Sequence, residues 1–425
     1  MTGGPRQERS RSPCMAMQNG EAIPLRVSPA ITNMDESKTV QIFSKVSNMK
    51  SNGEAVNGAL CVGQPDFPPP PAVIEATAEA AKRGLTSYTG VTGTLELRKA
   101  ICTYLSEQKK TPYVPEEIMV ACGGKQAIYE VMIALCQEGD EVLIPAPYYT
   151  SYPDIVKLSG AKPVLVQTSA EQGYALTPGA LEAALTPKTR MLIICNPSNP
   201  TGGAMSKAEL EALAEVLRRP EHRNVYVMSD EIYERICFDG LEHTSFAALE
   251  GMRERTLTIN GFSKAYAMTG YRLGYLAAPA PIVKAATKLQ SQITSCAASI
   301  SQFAGIAALQ SPREIIDGHV AELQAKRDAA LALLVAIEGV KCPKPGGAFY
   351  LLPDVSHYFG RKTATGEVVA DANTLCLHLL QEYKVALVPG EAFGAPRCIR
   401  ISYAATLENI NDAIGKLGTC LRALK

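Results

Sequence analysis

The sequence predicts an α/β protein with a mostly parallel sheet between helices in a large domain, plus a smaller α+β domain. Three observations carry this. Short apolar runs alternate with helical patterns through the middle of the chain, the rhythm of a parallel sheet covered on both faces. Three of those runs lead directly into polar residues, and parallel sheets build ligand sites beyond the carboxyl ends of their strands. At 425 residues the chain is long for a single core, so two domains are expected.

Composition narrows the class. Apolar residues make up 46% and charged residues 20%, as in ordinary globular proteins. The 42 basic residues balance 42 acidic ones, so no field favours nucleic acid or an anionic membrane. The twelve cysteines are scattered, with no CxxC pair and no His-rich tract. They read as small buried residues and free thiols in a reducing compartment, with no metal site. No apolar run approaches a membrane span. Residues 1–33 are polar, with Arg6, Arg9 and Arg11, and read as a disordered arm. A cytoplasmic protein is expected; the alternative is an organelle, if the arm is a targeting segment, against which Glu8 counts.

Taken in order, Thr39 to Ser47 opens the folded region. LCVGQPDFPPPP (60–71) reads as a short strand, a turn and a proline run that introduces a helix over 72–83. YTGVTG (88–93) is a glycine-rich loop, and Thr94 caps the helix that follows. The apolar stretch 118–122 leads into Gly123-Gly124-Lys125 and a helix. That order aims backbone N–H groups and a positive helix end at an anion, although a tight turn alone also needs glycine. Further strands are expected over 141–144, 192–195, 225–228 and 256–259, with a helix over 208–218.

The polar strand ends carry the chemistry. NPSNPTG (196–202) follows one, Ser229-Asp230-Glu231-Ile232-Tyr233 another, and NGFSKAYAMTGYRLGY (260–275) the third. Asn199, Asp230, Tyr233 and Lys264 are therefore expected to converge. Each has an ordinary alternative: Asn-Pro as a turn, Asp as a helix cap, Tyr as a core residue, Ser263-Lys264 as a surface pair. An uncharged lysine at such a place can form a Schiff base with an aldehyde cofactor, and the planar fork of Arg272 suits a phosphate.

From about Pro312 the elements shorten. Helices are expected over 313–337, 371–383 and 406–424, and strands over 385–390 and 398–404. In CIRISYA (398–404) the alternation puts Arg400 and Ser402 opposite Ile399 and Ile401. A strand arginine is usually solvated, yet this one follows a glycine-containing loop and can present its fork to a carboxylate.

GGKQAIYEV, NPSNPTG, SDEIYE, SKAYAMTGYRLGY, PGGAFY and RISYA, in this order over roughly 34–424, resemble the class I and II aminotransferases of the aspartate aminotransferase fold. The branch most like this chain holds prokaryotic-type aspartate and bifunctional aspartate/prephenate aminotransferases. The resemblance implies pyridoxal 5′-phosphate, a homodimer with shared sites, and amino transfer from aspartate or glutamate to 2-oxoglutarate, oxaloacetate or prephenate. It implies a small domain of 34–63 and 312–425 around a large domain of 64–311. Lys264 would be the Schiff-base lysine and proton carrier, and Asp230 would pair with the pyridine nitrogen. Tyr233 and Asn199 would bond the phenolic oxygen, and Tyr149 would stack on the ring. Gly124, Lys125, Ser263 and Arg272 would hold the phosphate, and Tyr88 would reach the phosphate of the neighbouring subunit. Arg400 would bind the substrate α-carboxylate beside Gly63, Tyr149 and Asn199. Lys125 would meet a distal carboxylate, and Thr39 would lie near the substrate.

Three features depart from the family pattern: Gln64 in GQPDF, the four prolines 68–71, and YTGVTG. They bear on the acceptor, not on the cofactor chemistry. Alternatives on the same fold are an alanine or aromatic aminotransferase and a C–S lyase. A non-enzymatic regulator would need a DNA-binding domain and a basic patch, for which residues 1–33 are too short.

Overall fold

The computed structural model describes residues 17–18, 21–22, 26–32, 34, 38–54, 56 and 58–425. Its contacts divide the chain into Met1–Asp35 and Glu36–Lys425. In the first unit β1 (Met17–Gln18) pairs antiparallel with β2 (Glu21–Ala22), and α1 (Pro29–Thr32) is a single turn. Apart from 26–28, the rest of the expected arm lies outside the described residues.

The second unit begins with α2 (Lys38–Ser51) and β3 (Gly58–Ala59). α3 (Pro71–Lys82) starts on the last residue of the proline run, whose fixed φ suits a first helical turn. α4 (Leu95–Lys109) is capped by Thr94, whose hydroxyl accepts from the Leu97 N–H. Alternation then sets in: β4 (Ile118–Ala121), α5 (Gly124–Leu135), β5 (Glu141–Ala146), α6 (Tyr152–Leu158), β6 (Lys162–Gln167), α7 (Pro178–Ala184) and β7 (Thr189–Cys195). It continues through α8 (Lys207–Arg218), β8 (Tyr226–Asp230), β9 (Thr256–Gly261), β10 (Gly274–Ala277), α9 (Ala280–Ile293) and α10 (Ser299–Gln310).

These strands form one seven-stranded sheet in the order β4-β10-β9-β8-β7-β5-β6. All neighbours are parallel except β10, which runs antiparallel between β4 and β9. Helices cover both faces. Ile128, Val131 and Met132 of α5 pack with Ile282 and Val283 of α9 on one face. Leu97, Ile101 and Leu105 of α4 pack with Val120 and Ala304 on the other. With both faces covered, β4, β9 and β10 are buried along their whole length.

The chain continues with α11 (Arg313–Val335), β11 (Tyr350–Leu351), α12 (Ala372–Tyr383), β12 (Val385–Ala386), β13 (Val388–Pro389), β14 (Ile399–Ser402) and α13 (Leu407–Ala423). β11, β14 and β13 make a three-stranded antiparallel sheet. The single strand expected over 385–390 is two pieces. β12 runs parallel to β3, and past the buried Leu387 the chain switches to pair with β14. A core containing Leu323, Leu334, Leu375, Ile401 and Leu417 binds this sheet to α11, α12 and α13. Every cysteine among the described residues is free. Among these residues no helix is long and apolar enough to cross a membrane, and no cluster of side chains could hold a metal.

Gly274 marks the tightest contact in the large sheet. A Cβ there would lie 2.6 Å from the Gly123 carbonyl carbon and nearer still to the Gly124 nitrogen. Gly274→Ala therefore pushes the glycine turn off the sheet. An overpacking loss of about 1–3 kcal/mol is expected, measured as a lower Tm, together with weaker anion binding at the start of α5.

Candidate active site

The parallel strands end in step. Cys195 of β7 is level with Asp230 of β8, and Asp230 is level with Ile259 of β9. The loops after these strands therefore open on one edge, and Asn199, Asp230 and Lys264 meet there. β10 brings the phosphate-type residues to the same edge. It runs antiparallel, so it begins where its neighbours end: Gly274 pairs with both Gly261 and Ala121. Arg272, just before β10, thus lies beside the glycine turn after β4. Gly123 has φ +88°, which favours glycine, and a Cβ on it would come within 2.7 Å of Arg272 Nη2.

The edge encloses a cavity of about 360 Å³. Its walls include Gly63, Gly124, Lys125, Tyr149, Asn199, Asp230, Tyr233, Ser263, Lys264, Arg272 and Arg400. Of the residues singled out from sequence, two stand apart. Tyr88 is 89% exposed and does not line the cavity. Thr39 lies in the first turn of α2, and its side chain is outside the described residues; its neighbour Val40 does line the cavity.

Among the described residues, four basic side chains, Lys125, Lys264, Arg272 and Arg400, share the cavity with a single carboxylate, Asp230. Lys264 Nζ donates to the Gly63 carbonyl at 2.5 Å. Burial, then the charges of Arg400 and Arg272, push its pKa down to about 8 against the opposing pull of Asp230. Asp230 is 5% exposed, and burial pushes its carboxyl up. The Tyr152 hydroxyl (2.6 Å to Oδ2), the Ile232 N–H (3.3 Å to Oδ1) and the Lys264 charge oppose that. Tyr233 is buried and shares a hydrogen bond of 2.7 Å with the Tyr350 hydroxyl. Burial drives its phenol well above the ordinary value.

Arg400 departs from the usual solvated strand arginine. It is 2% exposed, sandwiched 4.7 Å from the Tyr350 ring and 4.9 Å from the Phe393 ring. Its Nη1 donates to Asn199 Oδ1 at 3.0 Å and its Nη2 to the Cys61 carbonyl at 2.8 Å, while Nε has no partner. Among the described residues no carboxylate is paired with it. A buried cation in that state is set up to receive an anionic ligand.

Tyr152, Tyr350, Cys195, Thr150 and Gln64 also belong to this site or its wall. Tyr152 and Thr150 carry a signal, since they lie in PAPYYTSYP beside Tyr149. Tyr350 lies inside PGGAFY, and Gln64 shows only as a departure from the family pattern. Cys195 has no signal: a cysteine ending an apolar strand reads as core.

The description "Aminotransferase class I and II" belongs to a family model that matches residues 59–417. The chain belongs to this family. An enzyme of Petunia hybrida named bifunctional aspartate aminotransferase and glutamate/aspartate-prephenate aminotransferase is 44% identical over 95% of this chain and 84% of its own length. An aspartate/prephenate aminotransferase of Cereibacter sphaeroides is 42% identical, over 92% of this chain and 97% of its own. The solved aspartate aminotransferase of Rhizobium meliloti superposes with a TM-score of 0.90 at 40% identity, over 95% of this chain and all of that one. The aminotransferase fold and class expected from the sequence are therefore borne out. Class I and II aminotransferases act with pyridoxal 5′-phosphate on amino and 2-oxo acids.

The position of Lys264 in this aminotransferase gives a pH signature. A lysine with a lowered pKa is neutral, and so nucleophilic, above about 8. In the cofactor-free protein, its reaction with an aldehyde, trapped by borohydride and mapped by mass spectrometry, is expected to rise through a midpoint near 8. Exposed lysines of the same protein should rise near about 10.4.

Proposed function

We propose that this aminotransferase moves the amino group of a dicarboxylic amino acid, aspartate or glutamate, to 2-oxoglutarate, oxaloacetate or prephenate, in two half-reactions. The reading rests above all on Arg400, a buried guanidinium with an open Nε and no carboxylate partner among the described residues. It suits the α-carboxylate that amino donor and oxo acceptor share, with Gly63 beside it. Lys125 is exposed at the rim, its Nζ 5.4 Å from the Tyr149 ring centroid, and suits a distal carboxylate, with Thr39 nearby. The names of the Petunia and Cereibacter relatives support the same substrates.

The donor set fits pyridoxal 5′-phosphate. The N–H groups of Gly124 and Lys125 at the start of α5, with Ser263 and Arg272, suit a phosphate. Asp230 suits a protonated ring nitrogen. Tyr233 suits the phenolic oxygen, as does Asn199, whose Oδ1 is already used by Arg400. Tyr149 suits a ring face. When bound, the cofactor supplies an aldehyde for the amino group and a ring that withdraws electrons. The chain does the rest. Lys264, with its pKa lowered to about 8, takes the proton from the substrate Cα in its neutral form and returns it. Arg400 fixes the carboxylate so that this proton faces Lys264. We further propose a homodimer in which Tyr88, exposed in this chain, reaches the partner's phosphate, and a division into 64–311 and 34–63 with 312–425 that lets the site close.

Lys264→Ala is expected to abolish turnover and the cofactor-linked absorbance; normal transamination by that variant overturns the assignment. Lys125→Ala is expected to lower activity on aspartate at least about tenfold more than on an apolar amino acid, whereas equal losses make Lys125 a phosphate-loop residue only. Single half-reactions fix the substrates. Aspartate, glutamate, alanine and phenylalanine are each added to the cofactor-loaded enzyme, which is then returned with oxaloacetate, 2-oxoglutarate, pyruvate or prephenate. Alanine or phenylalanine outpacing aspartate and glutamate would sink the dicarboxylic reading.

A further inference from the structure

Among the described residues the one side-chain hydrogen bond to the Asp230 carboxylate comes from Tyr152, in the first turn of α6. Tyr152 is 2% exposed, and burial drives its phenol well above the ordinary value. Its hydroxyl therefore keeps its proton and acts as donor, with Asp230 Oδ2 as acceptor. The same ring stands edge-on to Tyr149, centroids 5.4 Å apart at 84°. One side chain thus touches both the cavity's carboxylate and the aromatic beside it. The other groups facing Asp230 are the thiol of Cys195, ending β7, and the amine of Lys264, beyond β9. Burial pushes the thiol up, so it stays neutral. Farther cavity charges are those of Lys125, Arg272 and Arg400, with the neutral phenol of Tyr233.

We propose that Tyr152 is a positioning residue, whose hydroxyl holds Asp230 ionised and turned toward the ring nitrogen of the bound cofactor. The proposal rests on the cofactor assignment above. Its physical basis is direct. A buried carboxylate drifts toward its neutral acid, and a neutral donor bonded to it favours the charged form. Only the charged form keeps a ring nitrogen protonated. Without the Tyr152 hydroxyl, Asp230 retains just the 3.3 Å bond from Ile232 N–H and takes up a proton at higher pH. A tyrosine that merely fills the core would have no such link to the pH of cofactor binding.

Tyr152→Phe keeps the ring and its packing and removes the oxygen. The affinity of the cofactor-free protein for pyridoxal 5′-phosphate, measured by equilibrium dialysis across pH, is expected to fall about tenfold at neutral pH. The deficit should widen toward acid pH, because Asp230 protonates earlier in the variant. An analogue with carbon in place of the ring nitrogen should bind wild type and variant alike. In an Asp230→Asn background, adding Tyr152→Phe should change nothing further. Unchanged affinity at every pH overturns the proposal. So does an equal loss for both ligands, or an undiminished loss in the Asp230→Asn background, each of which marks a structural role. If wild type takes up no pyridoxal 5′-phosphate, the cofactor assignment falls and the proposal falls with it.

Discussion

The site depends on backbone pressed against backbone at β10. A strand running against its neighbours delivers its beginning to the edge where they deliver their ends. Such a strand fits here because Gly261 and Gly274 carry no side chain to come between the chains. A Cβ on Gly261 would come 2.9 Å from the Gly274 Cα. The arrangement sets the start of α5, Arg272 and the loop of Lys264 side by side, although each follows or precedes a different strand. Asn199 and Asp230 follow ordinary parallel strands that end level with one another, while Tyr350 and Arg400 come from the smaller sheet.

Electrostatics then sorts the acids of the β8 end. Among the described acids of this end Asp230 alone lines the cavity; Glu231 and Glu234 are bonded elsewhere, with Glu231 Oε2 left without a partner. Glu231 accepts from the Ser229 and Ser245 hydroxyls and the Phe246 N–H, and burial pushes it up to about 7. Glu234 pairs with Lys109 and accepts from Tyr104. One carboxylate thus answers four basic groups, a balance that suits ligands carrying more than one negative charge. The excess of positive charge, with burial, is also what keeps Lys264 close to neutrality.

Much of this is legible in the sequence, for definite reasons. β4, β5, β7, β8 and β9 show as apolar runs because both faces of the sheet are covered. Asn199, Asp230 and Lys264 show because each breaks such a run with a polar side chain. What escapes is geometry between segments. β6 lies at the sheet edge, where Val166 is its one buried residue, and its apolar run is only Val164-Leu165-Val166, behind a proline and a lysine. β10 is four residues long and sits inside a motif that reads as loop. The fate of Arg400 could not be read from β14, since all four of its residues are buried and alternation carries no face. Tyr152 is an ordinary helix tyrosine until Asp230, 78 positions away in the chain, comes within reach of it.

The Arg400 fork joins Asn199 and Cys61, partners separated from it by 201 and 339 positions. No stretch of the chain shorter than that span contains the whole arrangement. Long-range closures are the slow ones in folding, and this fork forms only when the last strand is laid beside segments made near the beginning. A nascent chain still short of β14 holds every residue proposed for the cofactor and lacks the fork for the carboxylate.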